Sequence, residues 1–181
     1  MNPAEYAIMY QVEETHWWYC ALRRVLFHHL QRYVPRWREV AILDGGCGTG
    51  ANLARLGNLS RHVGIDLAPQ SLAFCAQRGL KNLVLGDVTA LPFGGASFFG
   101  VVSASVLYHE WVRDLDRAVR ECHRVLCDGG VLLLELPACK SLSSAHDEAV
   151  FTARRFTKPE VCSLLRAHGF RVGGYYSPYV Y

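Results

Sequence analysis

No stretch of this 181-residue sequence approaches the roughly 18 uninterrupted apolar residues of a membrane-spanning helix, so no membrane partner is expected. The opening run Met1-Asn2-Pro3-Ala4-Glu5 lacks the basic segment and apolar core of a secretory signal. CxxC pairs are absent too. The seven cysteines are odd in number and scattered, which fits neither a disulfide framework nor a zinc site. They read as reduced thiols of a cytoplasmic protein, several of them at core positions. Charge is modest at 19% of residues, and the net +3 is spread along the chain. A nucleic-acid binder would more often concentrate basic residues on one face, so nucleic acid is not an expected partner. No carboxylate and histidine cluster has ligand spacing, and no metal is expected. Repeats, low-complexity segments and long linkers are also missing. What remains is a chain that is 51% hydrophobic, enough to bury the core of a single domain.

Punctuation along the chain divides that domain into alternating elements. Trp18, Leu22, Val25, Leu26 and Leu30 recur at helical spacing, predicting an amphipathic helix over Trp17–Tyr33 that Pro35 closes. Strands are expected at Val40–Leu43, His62–Asp66, Leu83–Gly86, Phe98–Ser105, Val131–Leu136 and Phe170–Tyr175. Helices are expected between them: Ala51–Leu59, Gln70–Arg78 with Pro69 in its first turn, and one capped by Asp114 that runs to Leu126. A capping box, Thr157-Lys158-Pro159-Glu160, starts a last helix that Gly169 ends. Such alternation implies an α/β fold, with a doubly wound, mainly parallel sheet covered by helices on both faces.

The most informative run is Asp44-Gly45-Gly46-Cys47-Gly48-Thr49-Gly50, with Asp66 sixteen residues beyond Gly50. Strand, glycine loop, helix, strand, acid is the order in which a doubly wound sheet grips an adenosine-containing cofactor. Further on come Leu85-Gly86-Asp87-Val88-Thr89-Ala90-Leu91-Pro92-Phe93 and Arg120-Glu121-Cys122-His123-Arg124-Val125-Leu126-Cys127-Asp128-Gly129-Gly130-Val131-Leu132-Leu133-Leu134. In this order and spacing the motifs resemble those of class I S-adenosylmethionine-dependent methyltransferases, from about Val40 to Phe170. Glu14-Thr15-His16-Trp17-Trp18-Tyr19 with Arg23-Arg24, and Ser144-Ala145-His146-Asp147-Glu148 with Arg154-Arg155-Phe156-Thr157, look like a bacterial subgroup with an HWWY motif. The resemblance implies a Rossmann-like methyltransferase fold. Within it, 1–36 would be an N-terminal helical cap, 37–139 the cofactor-binding core, and 140–181 a substrate-side segment with the last helix-strand unit.

It also implies roles for residues. S-adenosyl-L-methionine would be the cofactor, with the backbone of Gly45, Gly46, Cys47, Gly48 and Gly50 running beside its methionine half. Asp44 would orient the loop, Asp66 would accept the two ribose hydroxyls, and Leu67 and Val88 would flank the adenine. Asp87 would accept the exocyclic amine, although Gly-Asp also makes a good turn. Ser103 and Ser105, on the fourth strand, complete the cofactor set. Tyr108 and His109 would face the transferred methyl, where an imidazole suits general-base work on a small-molecule acceptor. His16, Tyr19 and Arg24 would line the mouth; Trp17 and Trp18 would supply a core contact and a lid; Arg154-Arg155 is a candidate anion clamp or a solvated edge. His146 and Asp147 are a further candidate pair.

Two departures stand out. Phe99 occupies the place where the family usually has an aspartate, and only Tyr176–Tyr181 follows the sixth expected strand. That tail is too short for the family's seventh strand, so the sheet is expected to lack it, with an uncovered edge open to homo-oligomer formation. Two other functions are compatible with the residues. One is an inactive S-adenosylmethionine-binding scaffold. The other is a nicotinamide-dependent oxidoreductase, since Gly46-x-Gly48-x-x-Ala51 formally fits the dinucleotide fingerprint.

Overall fold

The computed structural model describes residues 3–57, 59, 61–138 and 151–176. Its sheet comprises β1 (Ile42–Gly45), β2 (His62–Asp66), β3 (Leu83–Leu85), β4 (Phe98–Ala104) and β5 (Leu126–Glu135). The strands lie in the order β3-β2-β1-β4-β5, and every pairing is parallel. The helices are α1 (Pro3–Val12), α2 (Trp17–Tyr33), α3 (Ala51–Leu56), α4 (Pro69–Gln77), α5 (Leu115–Val125) and α6 (Lys158–Ala167). The order reverses at β1, where the chain steps outward to β2 on one side and later to β4 on the other. Ligands of doubly wound sheets bind in the crevice at such a switch point, beyond the carboxyl ends of the strands.

Alternation along the strands builds a core on each face. Ile42 and Val102 point to one side, where they meet Phe27 and Leu30 of α2, Val34 just past its end, Leu53 and Leu56 of α3, and Cys75 of α4. Leu43, Ile65 and Val101 point to the other, against Cys122 and Val125 of α5. Leu164 and Leu165 of α6 join Val88, Leu107 and Val119 at the end of that second layer. Local chemistry sets the helix ends. Asp114 accepts a hydrogen bond from the Arg117 amide at 2.8 Å, and both halves of the Thr157–Glu160 capping box are formed.

Most expected elements are present, with three differences. First, α1 lies ahead of the expected first helix. Its polar Glu5 and Gln11 interrupt an apolar pattern that becomes one-sided only against the rest of the fold. Second, α3 stops at Leu56, because Gly57 takes a left-handed cap and its amide closes onto the Ala54 carbonyl at 2.9 Å. Third, the expected sixth strand does not form. Residues 170–176 make no strand pairing, so β5 is an outer strand among the described residues. Phe170 packs its ring against His123 instead. At the expected tail, residues 177–181 lie outside the described residues, as do Ser144–Glu148 with His146 and Asp147.

Phe99 finds a packing role in place of the missing aspartate. Its side chain joins the core on the α2 face, and its amide donates to the Ala41 carbonyl at 2.9 Å. Between Phe98 and Gly100 the register with β5 slips, since Phe98 pairs with Leu126 but Gly100 with Val131. The extra residues around Gly129, in a left-handed conformation, bulge out at that point.

Candidate active site

A cavity of about 270 Å³ opens at the carboxyl end of the sheet, under α1 and α2. Its floor is the glycine loop. Gly46 and Gly48 have φ of 84° and 54°, and a Cβ on Gly46 would lie 2.3 Å from a Val106 methyl. Only glycine fits at that position, and the loop backbone is thereby bared toward the cavity. Asp66, at the tip of β2, is buried and ties the loop down. Its Oδ2 accepts from the Gly48 amide and its Oδ1 from the Ala68 amide, both at 2.9 Å.

A second set of bonds clamps the N-terminal helices over this floor. Glu13, buried just past α1, accepts hydrogen bonds from the Thr49 hydroxyl and from Arg78 Nη2, the latter at 2.6 Å. Arg78 also donates through Nε to the Thr49 carbonyl at 2.8 Å and through Nη1 to Glu14 at 3.1 Å. Arg23 completes the clamp, reaching Glu14 Oε2 and the Glu13 carbonyl, each at 3.1 Å. Tyr6, Met9 and Glu13 line the cavity, and they recur at i, i+3 and i+7. Burial, reinforced by the Asp66 charge, pushes the Tyr6 phenol well above its ordinary range, so it faces the cavity as a neutral hydroxyl.

Beneath the floor lie two buried polar atoms with no partner among the described residues, Asp44 Oδ2 and Ser103 Oγ. Burial raises the Asp44 carboxyl to about 7, and the charges of Asp66 and Glu13 push in the same direction. Cys47 and Cys75 approach to 3.9 Å between sulfurs, and both are free thiols. Their contact, then burial, holds the Cys47 thiol protonated.

The far wall has a different character. Tyr108 and His109 stack with ring centroids 5.9 Å apart, and Trp111 and Phe151 close around His109. A short antiparallel bridge between His109 and Thr152 brings the segment after residue 150 against this wall. Burial lowers the His109 imidazole to about 4, so it is neutral at physiological pH. Ser105 has a left-handed backbone, φ 58°, and its hydroxyl donates to Glu135 at the end of β5. Burial raises the Glu135 carboxyl, although part of its surface stays open to the cavity.

A crevice at the switch point, a bared glycine loop and a carboxylate on the next strand together describe a cofactor site, and the family comparison agrees with it. The model of the family described as "Methyltransferase domain" matches residues 43–134, about half of the chain. The chain belongs to the methyltransferase-domain family. It is 32% identical over 146 residues to a Mycolicibacterium smegmatis protein described as a probable S-adenosylmethionine-dependent methyltransferase, covering 78% of this chain and 56% of that one. It is 34% identical over 108 residues to the malonyl-[acyl-carrier protein] O-methyltransferase of Serratia marcescens, covering 59% of this chain and 42% of the other. A solved structure, Burkholderia thailandensis 1,6-didemethyltoxoflavin-N1-methyltransferase with bound 1,6-didemethyltoxoflavin and S-adenosylhomocysteine, shares the fold. It superposes with a TM-score of 0.68 at 22% identity, over 92% of this chain and 75% of that one. The chain spans about half the length of the curated relatives it matches.

Within this methyltransferase domain, most of the expected site residues come together. Gly46, Cys47, Gly48, Asp66, Leu67, Asp87, Val88, Ser105, Tyr108 and His109 all line the cavity. Asp44, Gly45, Gly50 and Ser103 do not. Asp44 and Ser103 are buried beneath it, and Gly50 is the N-cap of α3. Asp87 also makes the turn its sequence suggests, with Oδ1 accepting from the Thr89 amide at 2.7 Å. Ser105 directs its hydroxyl to Glu135. Of the mouth residues, Tyr19 lines the cavity, but His16 and Arg24 are exposed outside it, and Arg23 takes the inner place. Trp18 lines the cavity, whereas Trp17, 65% exposed, makes no core contact and sits edge-on to Trp18. Arg154 and Arg155 turn to the carbonyls of Val112 and Ala138, both at 3.0 Å, as ties between segments. No metal-ligating cluster is present among the described residues. The expectations for the cavity omit Tyr6, Glu13 and Glu135. A lone charge ending the apolar run Val131–Leu136 is the signal that marks Glu135.

Proposed function

We propose that the chain binds S-adenosylmethionine in this cavity and transfers its methyl group to a small-molecule acceptor. The observation that carries the reading is the Asp66 carboxylate bonded to the Gly48 amide at the edge of a bared glycine loop. Three features support a fit between the residues and this cofactor. Asp44 Oδ2 and Ser103 Oγ are buried with hydrogen-bonding capacity to spare. The Gly46–Gly48 backbone forms a cradle that a side chain would fill. The charged lining around the glycine loop is mostly acidic, with Glu13, Asp66 and Asp87 against Arg23, which suits a cationic ligand.

Each Asp66 oxygen already accepts one amide and keeps a lone pair for a ribose hydroxyl. Leu67 and Val88 offer apolar contact to the adenine, and Asp87 has a second oxygen for its amine. The loop backbone would run beside the methionine half. Trp18 and Met9, which line the cavity, would close it against water, and the Tyr108–His109 wall would orient the acceptor. When bound, the cofactor supplies a methyl group already activated on a sulfonium, so the protein's work is positioning. Burial keeps His109 neutral across the physiological range, so it can take up a proton, as a weaker base than an exposed imidazole.

Calorimetry with S-adenosylmethionine and S-adenosylhomocysteine, with NADH as control, tests the reading. Binding of both sulfur ligands and none of NADH is expected. Binding of NADH alone would replace this reading with the nicotinamide one. Cofactor binding without S-adenosylhomocysteine production across a broad acceptor panel would favour the inactive scaffold.

A further inference from the structure

The carboxyl groups lining the cavity differ in how fully their charge is met. Glu13 is clamped by Arg78 and Arg23. Asp66 accepts two backbone amides, and Asp87 accepts one. Glu135 receives the Ser105 hydroxyl, and no cation pairs with it among the described residues. Arg23, the cavity's guanidinium, is engaged with Glu13 and Glu14.

The position of Glu135 is well determined. It ends β5 directly beside Ala104 of β4, at the carboxyl edge of the sheet. Ser105 fixes it twice, by its hydroxyl and by its amide, which donates to the Glu135 carbonyl at 3.1 Å. Ser105 adopts its left-handed backbone without being glycine, a conformation retained where the surroundings require it. The cavity that Glu135 lines also carries four aromatic side chains, Trp18, Tyr19, Tyr108 and Trp111. A partly desolvated carboxyl gains most from a ligand that brings a cation with hydrogen-bond donors, and aromatic faces favour the same ligand. An anionic group there would set two negative charges together.

We propose that Glu135, positioned by Ser105, is the acceptor-recognition residue of this cavity and takes the amino group of an amine-bearing acceptor. The proposal rests on the methyltransferase reading and adds the chemical class of the acceptor.

The test uses the full chain saturated with S-adenosylhomocysteine, in wild type, Glu135→Gln and Ser105→Gly. Glu135→Gln keeps the side-chain shape. Ser105→Gly removes the hydroxyl while easing the left-handed backbone, so it serves as a second variant that folds readily. Calorimetric probes are 2-phenylethylamine and tryptamine, with 2-phenylethanol and phenylacetate as the neutral and anionic counterparts. The amines are expected to bind the wild-type complex, to lose about tenfold or more in affinity with Glu135→Gln, and severalfold with Ser105→Gly. Affinities for S-adenosylmethionine and S-adenosylhomocysteine should stay within about twofold in Glu135→Gln. No binding of either amine, tighter binding of phenylacetate, or equal amine binding in Glu135→Gln would overturn the proposal. So would a Glu135→Gln that weakens S-adenosylmethionine but not S-adenosylhomocysteine, because Glu135 would then serve the sulfonium. If wild type does not bind S-adenosylhomocysteine, the methyltransferase reading itself fails. Binding of that ligand without the amines isolates the failure to Glu135.

Discussion

The two sides of the cavity are built on different principles. On the β1–β2 side the lining is backbone and short carboxylates, and its bonds are local: Asp66 to Gly48 and Ala68, Asp87 to Thr89. On the β4–β5 side the lining is aromatic and imidazole side chains, and its contacts join more distant residues, Ser105 with Glu135 and His109 with Thr152. The first side ties its lining carboxylates, Asp66 and Asp87, to backbone amides and presents a fixed shape. The second holds a left-handed serine and a carboxyl whose partner among the described residues is that serine. The contrast suits a site in which one half meets an invariant ligand and the other meets a particular acceptor.

The strongest way to break this comparison is Asp66→Ala. Removing it takes away the proposed ribose acceptor and also frees the Gly48 and Ala68 amides, so affinity and loop order should fall together. Calorimetry should show a loss of about 2–3 kcal/mol or more in cofactor binding, with a lower unfolding temperature alongside. Unchanged affinity would mean the site is misplaced. On the opposite wall, a base role predicts that His109→Ala lowers turnover roughly a hundredfold with cofactor affinity nearly unchanged. Equal losses in both would assign His109 to packing.

Acidity separates the two sides more finely. Asp44 carries a raised carboxyl, from 3.8 to about 7, so its contribution to stability is present below about 4 and is lost as pH rises toward 7. His109 carries a lowered imidazole, from 6.5 to about 4, so its contribution is present above about 6.5 and is lost as pH falls toward 4. The two slopes oppose each other in the same window. Denaturant melts of the ligand-free protein should show Asp44→Asn gaining on the order of 2 kcal/mol at pH 8 relative to pH 4. His109→Phe should flatten the acid limb instead. Identical pH profiles in all three proteins would remove the electrostatic part of the contrast. The smallest effect belongs to the outer edge of β5, which has no strand partner among the described residues and so favours self-association. Light scattering should show a concentration-dependent rise in mass, and a monodisperse monomer at every concentration would rule that out.

The fold and the β1–β2 side were legible because each rests on contiguous sequence. Pro69, Asp114 and the Thr157 capping box start their helices where they stand in the chain. Gly46 and Gly48 declare a backbone that no other residue adopts easily. The β4–β5 side was less legible, because contact between Ser105 and Glu135 depends on strand order and register. Phe170–Tyr175 misled for a related reason. Its composition suits a strand, but a strand needs a neighbour, and among the described residues β5 pairs only with β4. In α1, Tyr6 and Met9 carry too weak a periodicity to stand out, and they acquire a face only once the glycine loop lies beneath them.

The arginine clamp also bears on how the chain acquires its shape. Arg78 reaches Glu13 and Glu14 across 65 and 64 residues of sequence, and Thr49 reaches Glu13 across 36. Those contacts cannot form until the β1–α3–β2–α4 unit has placed Thr49 and Arg78 side by side. Loop closure over such distances comes late when nearer contacts are available. Emerging ahead of its docking surface, α1 must wait while the sheet is made behind it. Among the described helices, α1 is made before its docking surface and settles after it.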